Sequence, residues 1–277
     1  VAQTLAHACP SELGREILLL GATARGQADQ YDGVELRFYV DGLQDPDPYL
    51  LWLLEQGVKL DPLSPQVGIG LHAKGAFQEL FLEVSWLPLE SLEWSLRPIL
   101  TGQQTEHWAL VETWQLATSV GMNSAPNVAF FKTLLQHYPS ALQEALIESV
   151  LSVWAEPHWY PQSLIQLWPL AERGTIYALH QRLQREVERA LRLIFAANRA
   201  YEPDYRWLAS EVKRLERLPN QLVDRIEGVL TLRDGKRSVY HCVELLLDCL
   251  PLLPPEIDCI PAQTRLQEAL NLMVFLK

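Results

Sequence analysis

The sequence is short of sulfur and of positive charge. Its four cysteines, Cys9, Cys242, Cys249 and Cys259, form no C-x-x-C pair, which argues against a zinc ribbon or a thioredoxin-type redox site. Cys242 and Cys249 read instead as small core residues on one face of a helix. Lys and Arg number 23 against 34 Asp and Glu, a formal charge of −11. Such a surface repels phosphate backbones and disfavours general nucleic-acid binding. No apolar run reaches about 18 residues, and no basic segment leads into a short apolar one, so no membrane span or secretory leader is expected. A reducing, cytoplasmic setting fits. The chain begins at Val1 rather than Met, so some N-terminal sequence is expected to precede it. G-x-S-x-G, P-loop and G-x-G-x-x-G patterns are missing, which leaves hydrolase, ATPase and dinucleotide-binding readings without a foothold. The seven His are scattered without metal-ligand spacing.

What is present is a folded chain. Of 277 residues, 48% are hydrophobic, with nine Trp and nine Tyr, enough for two compact domains or one large one. Ile17–Leu20 is a continuous apolar run, as in a buried strand. A short helical segment near Thr23–Gly26 follows. Val34–Val40 then reads as a half-buried strand, with Glu35, Arg37 and Tyr39 on one face. Asp45–Pro48 opens a helix over Tyr49–Gln56. Val67–His72 and Phe77–Ser85 are expected strands, joined by a hairpin connection at Ala73–Ala76. After Leu89 the strand signals stop. Helices are expected over 104–119, 126–137, 139–154, 161–172, 175–200, 205–217, 219–230, 236–250 and 261–276. The expected class is α+β: a small mixed sheet in residues 1–95, with a soft boundary between 88 and 103, then a helical bundle in 96–277.

Two stretches resemble known patterns. Leu18–Phe38, LLLGATARGQADQYDGVELRF, resembles the signature of the nucleotidyltransferase superfamily that includes the aminoglycoside and lincosamide adenylyltransferases. That signature runs roughly G-S-x-A-R-G-x-A-D-x-x-S-D-x-D-L. Gly21, Ala24, Arg25, Gly26, Ala28, Asp29, Tyr31 and Leu36 fall in register. Asn198–Trp207, NRAYEPDYRW, resembles the N-R-x-Y-x-P-x-x-K-W motif of an uncharacterised, nucleotidyltransferase-like bacterial family, as does the segment from Tyr138-Pro139 to Ile147. The resemblance implies a nucleotidyltransferase fold followed by a helical bundle, with Mg²⁺ and a nucleoside triphosphate as cofactors.

Nucleotidyl transfer attacks an α-phosphate and expels pyrophosphate, usually across two Mg²⁺ ions held by carboxylates. On a strand, residues i and i+2 share a face, so an Asp-x-Asp pair aims both carboxylates at the same metals. Here Gly33 and Glu35 stand in those positions and Ala22 stands where the motif has Ser. Losing that hydroxyl costs roughly 1.5–3 kcal/mol if it bonded a charged phosphate oxygen. Losing a metal-binding carboxylate costs more. Glu83 is the candidate third carboxylate. Asp32, beside Gly33, can substitute only if its loop bulges.

Two functions follow. In the first, Glu35, Glu83 and Asp32 hold metal and perform catalysis, Gly21, Ala22 and Arg25 hold phosphates, and a small-molecule hydroxyl accepts the nucleotidyl group, with weak or lost turnover. In the second, the fold has no chemistry and serves regulation or protein interaction. Plainer roles are weighed beside these. Gly21 and Gly26 suit a close strand–helix turn, Glu35 and Glu83 suit a solvated strand face, and Arg25 suits an ion pair with Asp29. Asn198 and Arg199 suit a helix C-terminus. Tyr201, Tyr205 and Trp207 suit packing, or an aromatic wall beside an acceptor pocket.

Overall fold

The computed structural model describes residues 1–43, 45–231 and 234–275. The fold is α+β, with a mixed sheet in the first half and helices through the second. Two compact units emerge: Val1–Ile99 with Val111–His137, and Leu100–Leu110 with Tyr138 onward. This differs from a division into 1–95 and 96–277, because residues 111–137 return to the sheet unit.

In chain order the first half runs α1 (Ala2–Ala8), β1 (Glu16–Leu20), α2 (Gly21–Arg25), β2 (Val34–Val40), α3 (Pro46–Glu55), β3 (Lys59–Leu60), β4 (Gln66–Val67), β5 (Leu71–Phe77), β6 (Leu80–Pro88), α4 (Ser91–Leu100), α5 (His107–Thr118), β7 (Val120–Gly121) and α6 (Pro126–Leu135). Among the described residues the sheet has the order β3-β5-β6-β2-β1-β7, with β4 also on β5. β2 and β6 are parallel, and their neighbours pair antiparallel.

Strand alternation divides the sheet into two unlike faces. On one, Val34, Leu36, Phe38 and Val40 join Leu82, Val84 and Trp86 in a core closed by Leu5 of α1 and by Tyr49, Trp52 and Leu53 of α3. Trp86 anchors it, stacked on Phe38 at 5.3 Å between centroids and tilted against Tyr49 at 5.2 Å. Its indole Nε1 donates to Leu13 O at 2.9 Å, so its polar atom is satisfied inside the core. The other face carries Glu35, Arg37 and Tyr39 of β2.

The β5–β6 hairpin turns at Gln78–Glu79, both with positive φ (49° and 67°), not at Ala73–Ala76, which lie inside β5. Two left-handed residues give the turn that matches strand twist. Neither is Gly, Asn or Asp, so the usual turn signal is missing. Two further elements carry no sequence signal. α4 fills the stretch expected as a boundary, disguised by its internal Pro98. β7 pairs just two residues with β1.

The second unit contains α7 (Ser140–Trp154), α8 (Leu167–Glu172), α9 (Ile176–Ala197), α10 (Leu208–Glu211), α11 (Leu222–Thr231), α12 (Gly235–Cys249) and α13 (Ile260–Phe275). The last residue of the expected helix 261–276 lies outside the described residues. α9 buries Leu179, Leu183, Val187, Leu191 and Ile194 as its periodicity requires. Cys242 and Cys249 of α12 are fully buried and free, and burial pushes the Cys249 thiol up to about 12.

The helices expected over 161–172 and 205–217 are shorter. α8 starts only at Leu167, which puts Pro169 in its first turn, where a missing N–H is tolerated. The second stretch breaks into α10 between two 3-10 turns. The backbone N–H groups of Glu216 and Arg217 donate to Asn198 Oδ1 at 3.1 and 2.9 Å rather than to a helix.

Glu16, fully buried on β1, ties α6 to the sheet. Its carboxylate accepts from the backbone N–H groups of Asn127 (3.1 Å) and Val128 (2.9 Å) and from Asn127 Nδ2 (2.5 Å). An anion at the first turn of a helix satisfies otherwise orphaned donors. Glu16→Ala is expected to lower stability in urea by about 2–4 kcal/mol. Glu16→Gln, which keeps one acceptor oxygen, should cost less than half as much. Equal losses in the two variants would contradict the role given to the carboxylate.

Candidate functional site

The site expected from the sequence lies on the polar face of the sheet. Parallel pairing sets Glu35 of β2 opposite Glu83 of β6, on strands about 4.8 Å apart. Antiparallel pairing sets Glu83 opposite Lys74 of β5, and Leu20 of β1 opposite Glu35. One row across three strands therefore reads Lys74, Glu83, Glu35 and ends at the Gly21 turn.

Each member of that row has a visible partner or neighbour. Lys74 Nζ lies 3.3 Å from Glu83 Oε2, in a pair with both side chains substantially exposed. Such a pair adds at most about 1 kcal/mol to stability. Its weight is positional, because it sets an ammonium where a metal-binding carboxylate would need a divalent cation. Glu35 folds over the turn. A Cβ on Gly21 would stand 2.5 Å from Glu35 Oε1, and Gly21 has φ +68°. Glycine is thus required there twice, by backbone conformation and by the carboxylate resting on it. Ala22, at 4% exposure, is a buried member of the same turn.

Gly33 is closed to any side chain. A Cβ there would meet the Phe81 ring at 2.5 Å and the Phe81 carbonyl oxygen at 2.7 Å. The vacancy read from the motif is therefore filled by the start of β6. Thr23 Oγ1 donates to Gly33 O at 3.0 Å and fixes the loop in that position.

Asp32 does not take the place of the missing carboxylate. Its Oδ2 accepts from the backbone N–H of Asp29 at 2.9 Å, while Asp29 Oδ1 accepts from Tyr31 N–H at 2.7 Å. Both aspartates are spent within their own loop, Asp29 in an Asx-type turn and Asp32 reaching back to the Asp29 N–H. Arg25 donates through Nε to Gln27 Oε1 at 3.1 Å, and its guanidinium lies 4.1 Å from the centre of the Trp114 ring. The guanidinium thus makes a cation–π contact.

Next along the polar face, Arg37 Nη2 donates to Glu112 Oε2 of α5 at 2.8 Å. Burial alone would lower the Arg37 pKa, but Glu112 and Tyr39 hold it above its ordinary value. His72, opposite Ser85 on β5, is pushed below its ordinary value by burial and by Arg37.

A Mg²⁺ pair needs several oxygen ligands converging from neighbouring strands. Among the described residues no group of three His, Cys, Asp or Glu is placed to hold a metal ion. Glu35 and Glu83 are brought to adjacent register, Asp32 is turned away, Gly33 is blocked, and Lys74 already neutralises Glu83. The donor set does not fit a two-metal centre.

The second motif has a structural role within the helical unit. Asn198 ends α9, donating through Nδ2 to Ile194 O at 2.8 Å and to Arg217 O at 2.8 Å. Arg199 adopts the left-handed conformation (φ 52°) that follows many helix ends. Glu202, 1% exposed, lies 3.1 Å from Arg192 Nε and 2.9 Å from His107 Nδ1. Tyr205 stacks on His107 at 4.3 Å and Tyr201 lies against Tyr138 at 5.0 Å. The buried carboxylate is thereby bonded from two sides, as burial requires.

No helix among the described residues is long and apolar enough to cross a membrane. No family model and no curated protein matches the chain. Among solved structures, a nucleotidyltransferase-like protein from Exiguobacterium sibiricum 255-15 is similar at 10% identity, over 94% of this chain and 72% of that one, with a TM-score of 0.38. Agreement that loose identifies neither fold nor family.

Lys74 and Phe81 were missed as site residues. Both become visible once the turn is placed at Gln78–Glu79, since that register sets Lys74 opposite Glu83. Restoring the motif carboxylate with Gly33→Asp is expected to destabilise the protein by about 1–3 kcal/mol and to create no divalent-cation binding. Gly33→Ala should lose nearly as much, because the clash begins at Cβ. A neutral Gly33→Ala in thermal or urea unfolding would contradict the closure by Phe81.

Proposed function

We propose that this chain is a non-catalytic descendant of the nucleotidyltransferase fold, acting as a regulatory or interaction protein. The observation that carries this reading is the contact of Gly33 with Phe81, which leaves no room for the first carboxylate of a metal pair. The kinship rests on the Gly21–Leu36 pattern and on the parallel β2–β6 pair that sets Glu35 beside Glu83. The loss of chemistry is supported by Asp32 bonding within its own loop and by Lys74 on Glu83. Without divalent cations, a triphosphate set beside two carboxylates meets repulsion of about 1–4 kcal/mol per charge pair at 4 Å, between the limits of water and a protein surface. An ammonium on Glu83 offsets only part of that.

The Glu35–Glu83 register favours a second reading, in which Mg²⁺ and a nucleoside triphosphate bind without transfer. Glu35 and Glu83 would then hold the ion, and the Gly21–Ala22 turn and Arg25 would face the phosphates.

Calorimetric titration with Mg-ATP, paired with a pyrophosphate-release assay, tests both. The proposal expects neither heat of binding nor pyrophosphate. Heat without pyrophosphate supports the second reading. Pyrophosphate release that disappears in Glu35→Gln overturns the loss of catalysis.

A further inference from the structure

Glu186 sits on the inner face of α9 and is fully buried. Its Oε2 accepts from the indole Nε1 of Trp154 of α7 at 3.1 Å, and its Oε1 accepts from Arg189 Nη1 one turn further along α9. Arg182, one turn back on the same helix, lies close enough to act on the carboxylate electrostatically. From α12, Cys242 faces it, and the carboxylate adds to the burial that pushes this thiol up. Two arginines thus offset the cost of one buried charge.

The same two arginines hold the loop that follows α7. Arg182 Nη1 donates to Pro161 O at 2.9 Å and Arg182 Nη2 to Gln162 O at 2.8 Å, while Arg189 Nη2 donates to Gln162 Oε1 at 3.4 Å. Arg185 and Glu156 also act on Arg182, with opposite signs. Between Pro157 and Ser163 the loop carries Trp159 and Tyr160, both exposed. A further tether is His158 Nε2, 3.1 Å from Glu268 Oε2 of α13, a pair that protonation of the imidazole strengthens. Acid therefore cannot release the loop through His158.

We propose that Glu186 is a pH-sensitive latch for this loop. Ionised, it fixes Arg182 and Arg189 where they bind Pro161 and Gln162; protonated, it frees them and the loop opens. Burial pushes the Glu186 carboxyl above its ordinary value, while Arg189, the Trp154 bond and Arg182 pull it down. The arginines favour the ionised form in the latched state, so latching is complete at higher pH and is lost as pH falls through the raised range. The contribution of Glu186 to global stability has the opposite sign. A carboxyl raised on folding favours the folded unit below its unfolded pKa, and that contribution is lost as pH rises through the folded value. Loosening of the loop through Glu186 is therefore distinct from unfolding of α9. The cluster lies wholly in the helical unit and is independent of the reading of the sheet face.

Amide hydrogen exchange on the full chain tests this, with rates corrected for the intrinsic effect of pH. The reporters are the N–H groups of Tyr160 and Ser163, which bond within the loop to Pro157 O and Tyr160 O. Between about pH 7.5 and about pH 5 their protection is expected to fall about tenfold, the factor that one pKa unit of arginine–carboxylate coupling provides, while α9 keeps its own. Glu186→Gln, which matches the protonated acid in shape, should leave the loop equally open at both pH values. Arg182→Gln, at a partly exposed position, should open the loop as well and move the titration of the Glu186 carboxyl carbon resonance to higher pH. Loop protection unchanged across this range, a pH dependence that survives in Glu186→Gln, or a Glu186 titration unmoved in Arg182→Gln overturns the proposal. So does loss of protection in the loop and α9 together, which is global unfolding rather than release of a latch.

Discussion

The parallel register of β2 against β6 is the constraint on which the sheet unit depends. It fixes Phe38 against Trp86 on one face and Glu35 against Glu83 on the other. A slip of β2 by one residue would turn Glu35 and Arg37 into the aromatic core and expose Phe38, so the core enforces the polar row. The packing that makes the unit stable therefore also brings the two acidic groups together, whether or not they are used.

What surrounds that pair decides its chemistry. A metal-dependent transferase needs empty, converging carboxylates whose repulsion is released by the ions they bind. Here Lys74 stands on Glu83 and Glu35 rests against the Gly21 turn. The neighbouring arginine is likewise matched, Arg37 with Glu112. In the helical unit, Glu202 lies between Arg192 and His107, a buried acid held by groups from other segments. Motif residues that in isolation suggest a ligand are here occupied by structure.

The sequence made legible whatever depends on local pattern. The apolar run of β1, the alternation of β2, the stripe of α9 and the capping role of Asn198 follow from spacing and side-chain type alone. So did the pairing of Glu35 with Glu83 as a candidate set, through the resemblance to a nucleotidyltransferase motif. What stayed hidden depends on long-range register. The hairpin turn at Gln78–Glu79 lacks Gly, Asn and Asp, so the local pattern ends the strand at His72 and sets Lys74 in a connection. Gly33 read as a missing ligand because nothing local announces that Phe81 will press on it. α4 was masked by Pro98, and the return of residues 111–137 to the sheet unit follows from Glu16 and Arg37 finding partners about 75 to 112 residues away.

The proposed function holds that the carboxylates of Glu35 and Glu83 do not share a divalent cation. Paramagnetic broadening by Mn²⁺ of their side-chain carboxyl carbon resonances measures this directly. The account predicts that neither resonance broadens beyond the other exposed acids of the chain. Selective, saturable broadening of both together, reversed by Mg²⁺, would contradict it.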